Sequence, residues 1–308
     1  MRPNPLNIKR NVLIAYCCLA GICIIWGSTF LALKLGVRGF PPFLFTALRQ
    51  TTAGLLLTGY MIFVLRIKLP PGSHILRQVL GGFLLITLGN GLVSWASMYV
   101  PSSVAAIICS AMPVWVIAIN LSVNRTERPN AMIFFGVIAG ISGILMVFSE
   151  HLADFSDPKY FTGIILIFIS TMAWATASFM MKRSNINVNP FLNAGLQMLF
   201  GGLFCFPLSL LFDNYSIMNW SMETLYPLLY LVLVGSVAAQ AMYSYTLANL
   251  PLTIASMYSY INPLVAVILG SLVLSEKLNG KIAIAILITI SGIYLVNRGY
   301  HQLSKKKV

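Results

Sequence analysis

Arg49 is a charged side chain inside an apolar run, about six residues from one end of the stretch 43–65. At 1.5 Å of helical rise per residue, that is a depth of roughly 9 Å. A guanidinium in such a place has two uses. It pairs with a carboxylate or phosphate on a solute, or it turns outward and ties helix-end carbonyls together. No Asp, Glu or His falls within any apolar run, and His74, His151 and His301 read as loop or tail residues. A proton relay through intramembrane carboxylates or histidines is therefore not expected. Pro113 and Pro263 fall near the middle of the runs 103–123 and 253–274. A mid-helix proline removes a backbone hydrogen bond and crowds the preceding turn, here freeing the carbonyls of Cys109 and Ser259. In lipid, that is tolerable only against protein or a wet cavity. The pair marks either hinges beside a midplane site or kinks used for packing. Near these prolines the first half offers Trp26, Ser28, Asn90, Trp95 and Ser110, and the second Trp174, Gln240, Tyr243, Tyr258 and Asn262. Asn and Gln at membrane depth want partners, so they face the bundle interior. Aromatic rings hold an apolar body or a cationic amine, or serve packing and the interfacial belt. Together these side chains suit an amphipathic or zwitterionic small molecule. They form no carboxylate cage for a metal and no pattern for a cofactor.

The elements that position these residues follow from composition. Apolar residues make up 58% of the chain and charged residues 9%, against about a quarter charged in soluble domains. Ten continuous apolar runs are read, at 12–34, 43–65, 79–99, 103–123, 131–148, 161–181, 191–212, 225–247, 253–274 and 282–297. Their lengths and lack of alternation predict helices across a hydrocarbon core of about 30 Å. The expected fold is thus an all-α integral membrane protein with ten transmembrane helices. The first run has no small-residue cleavage site after it, so it is expected to stay as an anchor. Cys17, Cys18, Cys23, Cys109 and Cys205 all lie within runs, which implies neither a disulfide framework nor a metal site.

The net charge of +13 is explained by topology. Of the 20 Lys and Arg residues, 14 fall on the N-terminal side of the predicted membrane and five on the other, with Arg49 inside a span. The positive-inside rule then places both termini in the cytoplasm, with basic tails at 1–11 and 298–308 and a multi-pass chain in the cytoplasmic (inner) membrane. The tail lysines Lys305–Lys307 suit anionic lipid. Nucleic-acid binding is not expected. Nor is an enzyme, since no nucleophile, acid or metal set gathers anywhere.

The chain repeats itself. Trp26-Gly-Ser-Thr-Phe-Leu-Ala-Leu-Lys34 is echoed by Trp174-Ala-Thr-Ala-Ser-Phe-Met-Met-Lys182, with the same Trp-to-Lys spacing. Pro101 and Pro113 recur as Pro251 and Pro263, Glu127 as Glu276, and Ser142-Gly143 as Ser291-Gly292. The halves 12–148 and 161–297 each hold five runs. Because five is odd, the second half enters the membrane from the opposite side, which makes two inverted five-helix repeats. Such a chain can open inward or outward by exchanging the shapes of its halves. Retention of a duplicated fold for stability alone is the plainer alternative. Gly136-x-x-x-Gly140 with Gly143 permits close helix approach, either within the chain or at the face of a possible homodimer.

The phrase Ile25–Lys34, followed by Phe40-Pro-Pro42 and Leu48-Arg49, resembles the EamA-domain transporters of the drug/metabolite transporter superfamily. So does the stretch from Pro113 to Glu127, with its echo from Pro263 to Glu276. The resemblance spans nearly the whole chain. It implies ten helices, cytoplasmic termini, a central cavity between the halves, and carriage of small organic metabolites, often export of amino acids or related compounds. The second half departs from the pattern, with Ala175 for Gly27 and Gln197 for Arg49. A role carried by Arg49 is therefore not shared by both halves. A lipid or amphiphile flippase on the same fold is the alternative function.

Overall fold

In the computed structural model the described residues are 5–123, 130–150, 157–183, 188–275 and 280–305. They are helical and contain no strand. The first half comprises α1 (Pro5–Gly36), α2 (Pro42–Gly59), α3 (Gly72–Gly82), α4 (Leu92–Ala96), α5 (Ser102–Cys109), α6 (Met112–Val123) and α7 (Ala131–Glu150). The second comprises α8 (Pro158–Lys182), α9 (Pro190–Phe212), α10 (Met222–Tyr230), α11 (Ala239–Asn249), α12 (Leu252–Ala255), α13 (Tyr258–Leu274) and α14 (Gly280–Lys305). Wider π-helical turns extend α2 (Tyr60–Val64), join α3 to α4 (Phe83–Gly91) and join α10 to α11 (Leu231–Ala238). Among the described residues five helical stretches are long and apolar enough to cross a membrane: Arg10–Gly36, Gly72–Ala96, Pro158–Lys182, Pro190–Phe212 and Met222–Asn249. Glu127, Glu276, His151, Lys306 and Lys307 lie outside the described residues.

Each half lends its first helix to the other. α1 packs against α11 and α13, while α8 packs against the π-helical turn 83–91, α4 and α6. Equivalent helices also pair with each other, and glycine allows it. A Cβ on Gly54 of α2 would lie 2.3 Å from the Leu199 nitrogen of α9, and one on Gly202 would lie 2.5 Å from the Thr51 nitrogen. Residue numbers rise along one helix as they fall along the other, so α2 and α9 run antiparallel. α7 and α14 do the same. Gly292 approaches the Gly140 nitrogen, and Gly143 approaches the Thr289 hydroxyl. The small-residue stripe of α7 is thus used within the chain, where backbones meet closely.

The repeated lysines also have matching roles. Lys34 Nζ donates to the carbonyls of Ser97 (2.5 Å) and Val100 (3.0 Å). Lys182 Nζ donates to those of Leu247 (2.7 Å) and Leu250 (2.9 Å). Carbonyls at a helix end lack intrahelical donors, and a cation there satisfies them. Asp213 does the converse at the start of α2, accepting from the Phe43 (3.2 Å) and Leu44 (2.7 Å) amides.

Two readings of the sequence are corrected. His74 is not a loop residue. α3 begins at Gly72, seven residues before the apolar run, and buries His74 to 1% exposure. Its Nε2 lies 2.9 Å from both Asn193 Oδ1 and Gln78 Nε2, and Gln78 Oε1 accepts from Gln197 (2.6 Å). This polar chain lets α3 start early. His301 falls in the last turns of α14. Pro113 is not mid-helix either. Run 103–123 breaks at Ser110–Ala111, and Pro113 is the second residue of α6, where its missing N–H costs little.

Candidate functional site

A cavity lies between the halves. α1 contributes Trp26, Thr29, Phe30 and Leu33, and α2 contributes Arg49. The π-helical turn 83–91 supplies Gly89 and Asn90, and α4 supplies Val93. The broken helix α5–α6 adds Ala106, Cys109, Ser110 and Met112. From the second half come Ser170, Thr171 and Trp174 of α8 and Tyr258, Ser259 and Asn262 of α13.

Irregular backbone surrounds this space. The second half repeats the helix break, with α12 ending at Ala255, Ser256–Met257 intervening, and Pro263 sitting within α13. Side chains bond carbonyls near both breaks. Ser110 Oγ donates to Ile107 O (2.6 Å) and Ser259 Oγ to Ser256 O (2.8 Å). Asn262, in the orientation that satisfies its amide, donates to Cys23 O and Tyr258 O, both at 3.0 Å. The π-helical turns are used in the same way across the halves. Ser170 Oγ donates to Gly89 O (2.6 Å), and Trp26 Nε1 donates to Gly235 O (3.3 Å). Asn90 Nδ2 reaches Leu85 O at 3.3 Å.

The two repeated tryptophans meet at the cavity. Their rings sit edge to face, with centroids 5.4 Å apart and planes at 87°. Trp26 also packs against Tyr258 at 4.7 Å and Tyr243 at 5.1 Å. Gly27 makes this possible, since a Cβ there would lie 2.5 Å from Val265 Cβ and hold α1 off α13. Trp174 in turn lies over Gly89, where a Cβ would come within 2.9 Å of its ring.

Arg49 is 4% exposed. Its Nε donates to Ser236 Oγ (2.8 Å) and its Nη2 to Gly235 O (3.3 Å), both on the π-helical turn 231–238. Among the described residues lining the cavity it alone is charged, and no carboxylate among the described residues bonds to it. Its equivalent Gln197 bonds to Gln78 and lies outside the lining.

Of the residues singled out in the sequence, Trp26, Asn90, Ser110, Trp174, Tyr258, Asn262 and Arg49 meet around this one space. Four others do not line it. Ser28 Oγ donates to Ile25 O and lies 2.6 Å from the Tyr230 hydroxyl. Trp95 packs with Phe43 and Phe212, each at 5.5 Å. Tyr243 is fully buried behind Trp26, its hydroxyl 2.6 Å from Ser178 Oγ. Gln240 is buried, with its Nε2 unpartnered among the described residues. Sequence reasoning missed Thr29, Ser170 and Thr171. Spacing carries the signal, because Thr29 follows Trp26 by three, and Thr171 and Ser170 precede Trp174 by three and four, on the same helical faces.

Comparisons with known proteins agree with this architecture. The model of the EamA-like transporter family matches twice, at residues 13–149 and 161–298. The uncharacterized inner membrane transporter YedA of Escherichia coli (strain K12) is 30% identical over 97% of this chain and 95% of its own length. An uncharacterized transporter of Archaeoglobus fulgidus is 26% identical over 96% of this chain and all of its own. Protein PecM of Dickeya dadantii is 26% identical over 88% of each chain. A solved crystal structure superposes with a TM-score of 0.68 at 17% identity, covering 94% of this chain and 97% of the other. The chain belongs to the EamA-like transporter family and is a membrane protein built from two family repeats.

Proposed function

We propose that the protein is a secondary carrier that moves a small organic solute across the membrane by alternating access, with ten spans arranged as two inverted repeats. One observation carries this reading: the cavity lies between the halves and is lined by the equivalent helices α1 and α8, with Trp26 and Trp174 in edge contact. The antiparallel pairing of α2 with α9 and of α7 with α14 supports inversion, because equivalent helices of a repeat inverted in the membrane must run oppositely. Broken helices at Ser110–Ala111 and Ser256–Met257 give each half a joint next to the cavity. Export from the cytoplasm, cytoplasmic termini and a metabolite cargo rest on the family resemblance and on the charge bias of the loops.

The test is a thermal-shift screen of purified protein against amino acids, amines, nucleosides, sugars, organic acids and amphiphiles, followed by flux of any hit in proteoliposomes. A ligand at 100 times its dissociation constant adds about 2.7 kcal/mol to the native state. We expect a hit that Trp26→Ala or Trp174→Ala abolishes and that Leu210→Ala, on a 77% exposed apolar position, leaves intact. A hit that is insensitive to both tryptophans, or bound without being moved, contradicts the carrier reading. Stabilisation by lipid headgroups alone favours a flippase.

A further inference from the structure

We infer that the cavity selects an organic monocarboxylate, its anion seated on Arg49 and its apolar body against Trp26, Trp174 and Tyr258. The inference rests on the carrier reading of the same cavity. Arg49 is buried and its two protein partners, Ser236 Oγ and Gly235 O, are neutral. They bond Nε and Nη2, which form one edge of the guanidinium. The opposite edge, Nη1 with the second Nη2 hydrogen, keeps its donors in the fork that matches a carboxylate. The bonded edge also fixes the plane, so little side-chain freedom remains to be lost on binding.

Charge counting points the same way. A buried cation is costly unless paired. Among the described residues no carboxylate bonds Arg49, so the counter-charge must be brought into the cavity. A single cation matches a single negative charge. A phosphate dianion would leave one charge uncompensated, since among the described residues no Lys and no second Arg joins the lining. An amine would face Arg49 with like charge and no lining carboxylate to offset it. The pseudo-symmetric position offers no second anchor, because Gln197 is turned to Gln78. The cavity thus combines one cation, Arg49, with the rings of Trp26, Trp174 and Tyr258, which suits a carboxylate with a hydrophobic body.

The experiment measures binding of matched pairs to the full-length detergent-purified protein. Phenylacetate, 3-phenylpropionate, hexanoate and octanoate are compared with their primary amides, and phenethylamine and inorganic phosphate are added as probes. We expect acids to bind about 10- to 100-fold more tightly than their amides, the range for one charged hydrogen-bonded pair. Arg49→Gln is expected to equalise each acid with its amide, while Trp26→Ala weakens both. Should Arg49→Gln fail to fold, Arg49→Lys decides: acid affinity drops about tenfold with amide affinity unchanged, because the charge stays and the fork is lost. Equal binding of acids and amides overturns the inference while leaving a cavity that binds neutral solutes, and so the carrier reading, intact. An acid preference that survives Arg49→Gln, or acid affinity unchanged in Arg49→Lys, also overturns it. Tighter binding of phosphate or the amine than of any acid does the same. Absence of binding by every probe refutes the inference, and the broader screen above then decides the carrier reading separately.

Discussion

Replacing Gly54 by Ala would place a methyl carbon 2.3 Å from the Leu199 nitrogen and 2.6 Å from its Cα. Ordinary contact needs roughly 3.5 Å, so α2 and α9 must part by about 1 Å. Neither contact is a side chain that can swing away. Overpacking of this kind costs about 1–3 kcal/mol, and two backbone contacts put Gly54 near the upper end. Alanine returns about 1 kcal/mol in helix propensity. The net loss is then about 2 kcal/mol, a fall of about 3 °C in melting temperature for a chain of this length. Gly202→Ala meets Thr51 in the same way, at 2.5 Å from its nitrogen. One separation of the helices accommodates both methyls, so the double variant should lose clearly less than the sum of the two. Gly59→Ala is the control, since its nearest neighbour is a Phe63 ring carbon at 3.9 Å. It should be neutral or slightly stabilising. Thermal unfolding in detergent, followed by tryptophan fluorescence, reads all four. Close backbone contact between α2 and α9 is refuted if Gly54→Ala melts with Gly59→Ala, or if the double variant loses the full sum.

Lys182→Met removes the donor from the carbonyls of Leu247 and Leu250. It should cost about 1–3 kcal/mol in the same unfolding assay, with Lys34→Met changing stability in the same direction. Asp213→Asn weakens acceptance from the Phe43 and Leu44 amides and removes a negative charge from the start of α2. About 1 kcal/mol of stability should go with it, and hydrogen exchange should quicken in the first turn of α2.

Much of the helical plan follows from hydropathy, because lipid forces an apolar run to satisfy its backbone internally. The run 161–181 lies within α8 (Pro158–Lys182) and 191–212 within α9 (Pro190–Phe212). Hydropathy fails where polar side chains bond to one another across distant helices. His74 and Gln78 look like loop residues until Asn193 and Gln197, more than a hundred residues away, are placed beside them. The helix breaks at Ser110 and Ser256 were readable as irregularity from Pro113 and Pro263, but not in position, since each break lies several residues before its proline. In the site, the Trp26 and Trp174 echo identified the two rings that meet. Whether Trp95 or Thr29 faces the cavity depends on helix rotation against distant neighbours, such as Phe212 for Trp95, and no local pattern encodes that.

Alternating access requires that one cavity between the halves open to either side of the membrane. Cys109 lines it and is a free thiol. With Cys17, Cys18, Cys23 and Cys205 replaced by Ser, Cys109 becomes the reporter for a membrane-impermeant thiol reagent applied to right-side-out and inside-out vesicles. Modification is expected from both faces, with a bound solute slowing it from each. Modification from one face alone, with and without solute, would contradict alternating access.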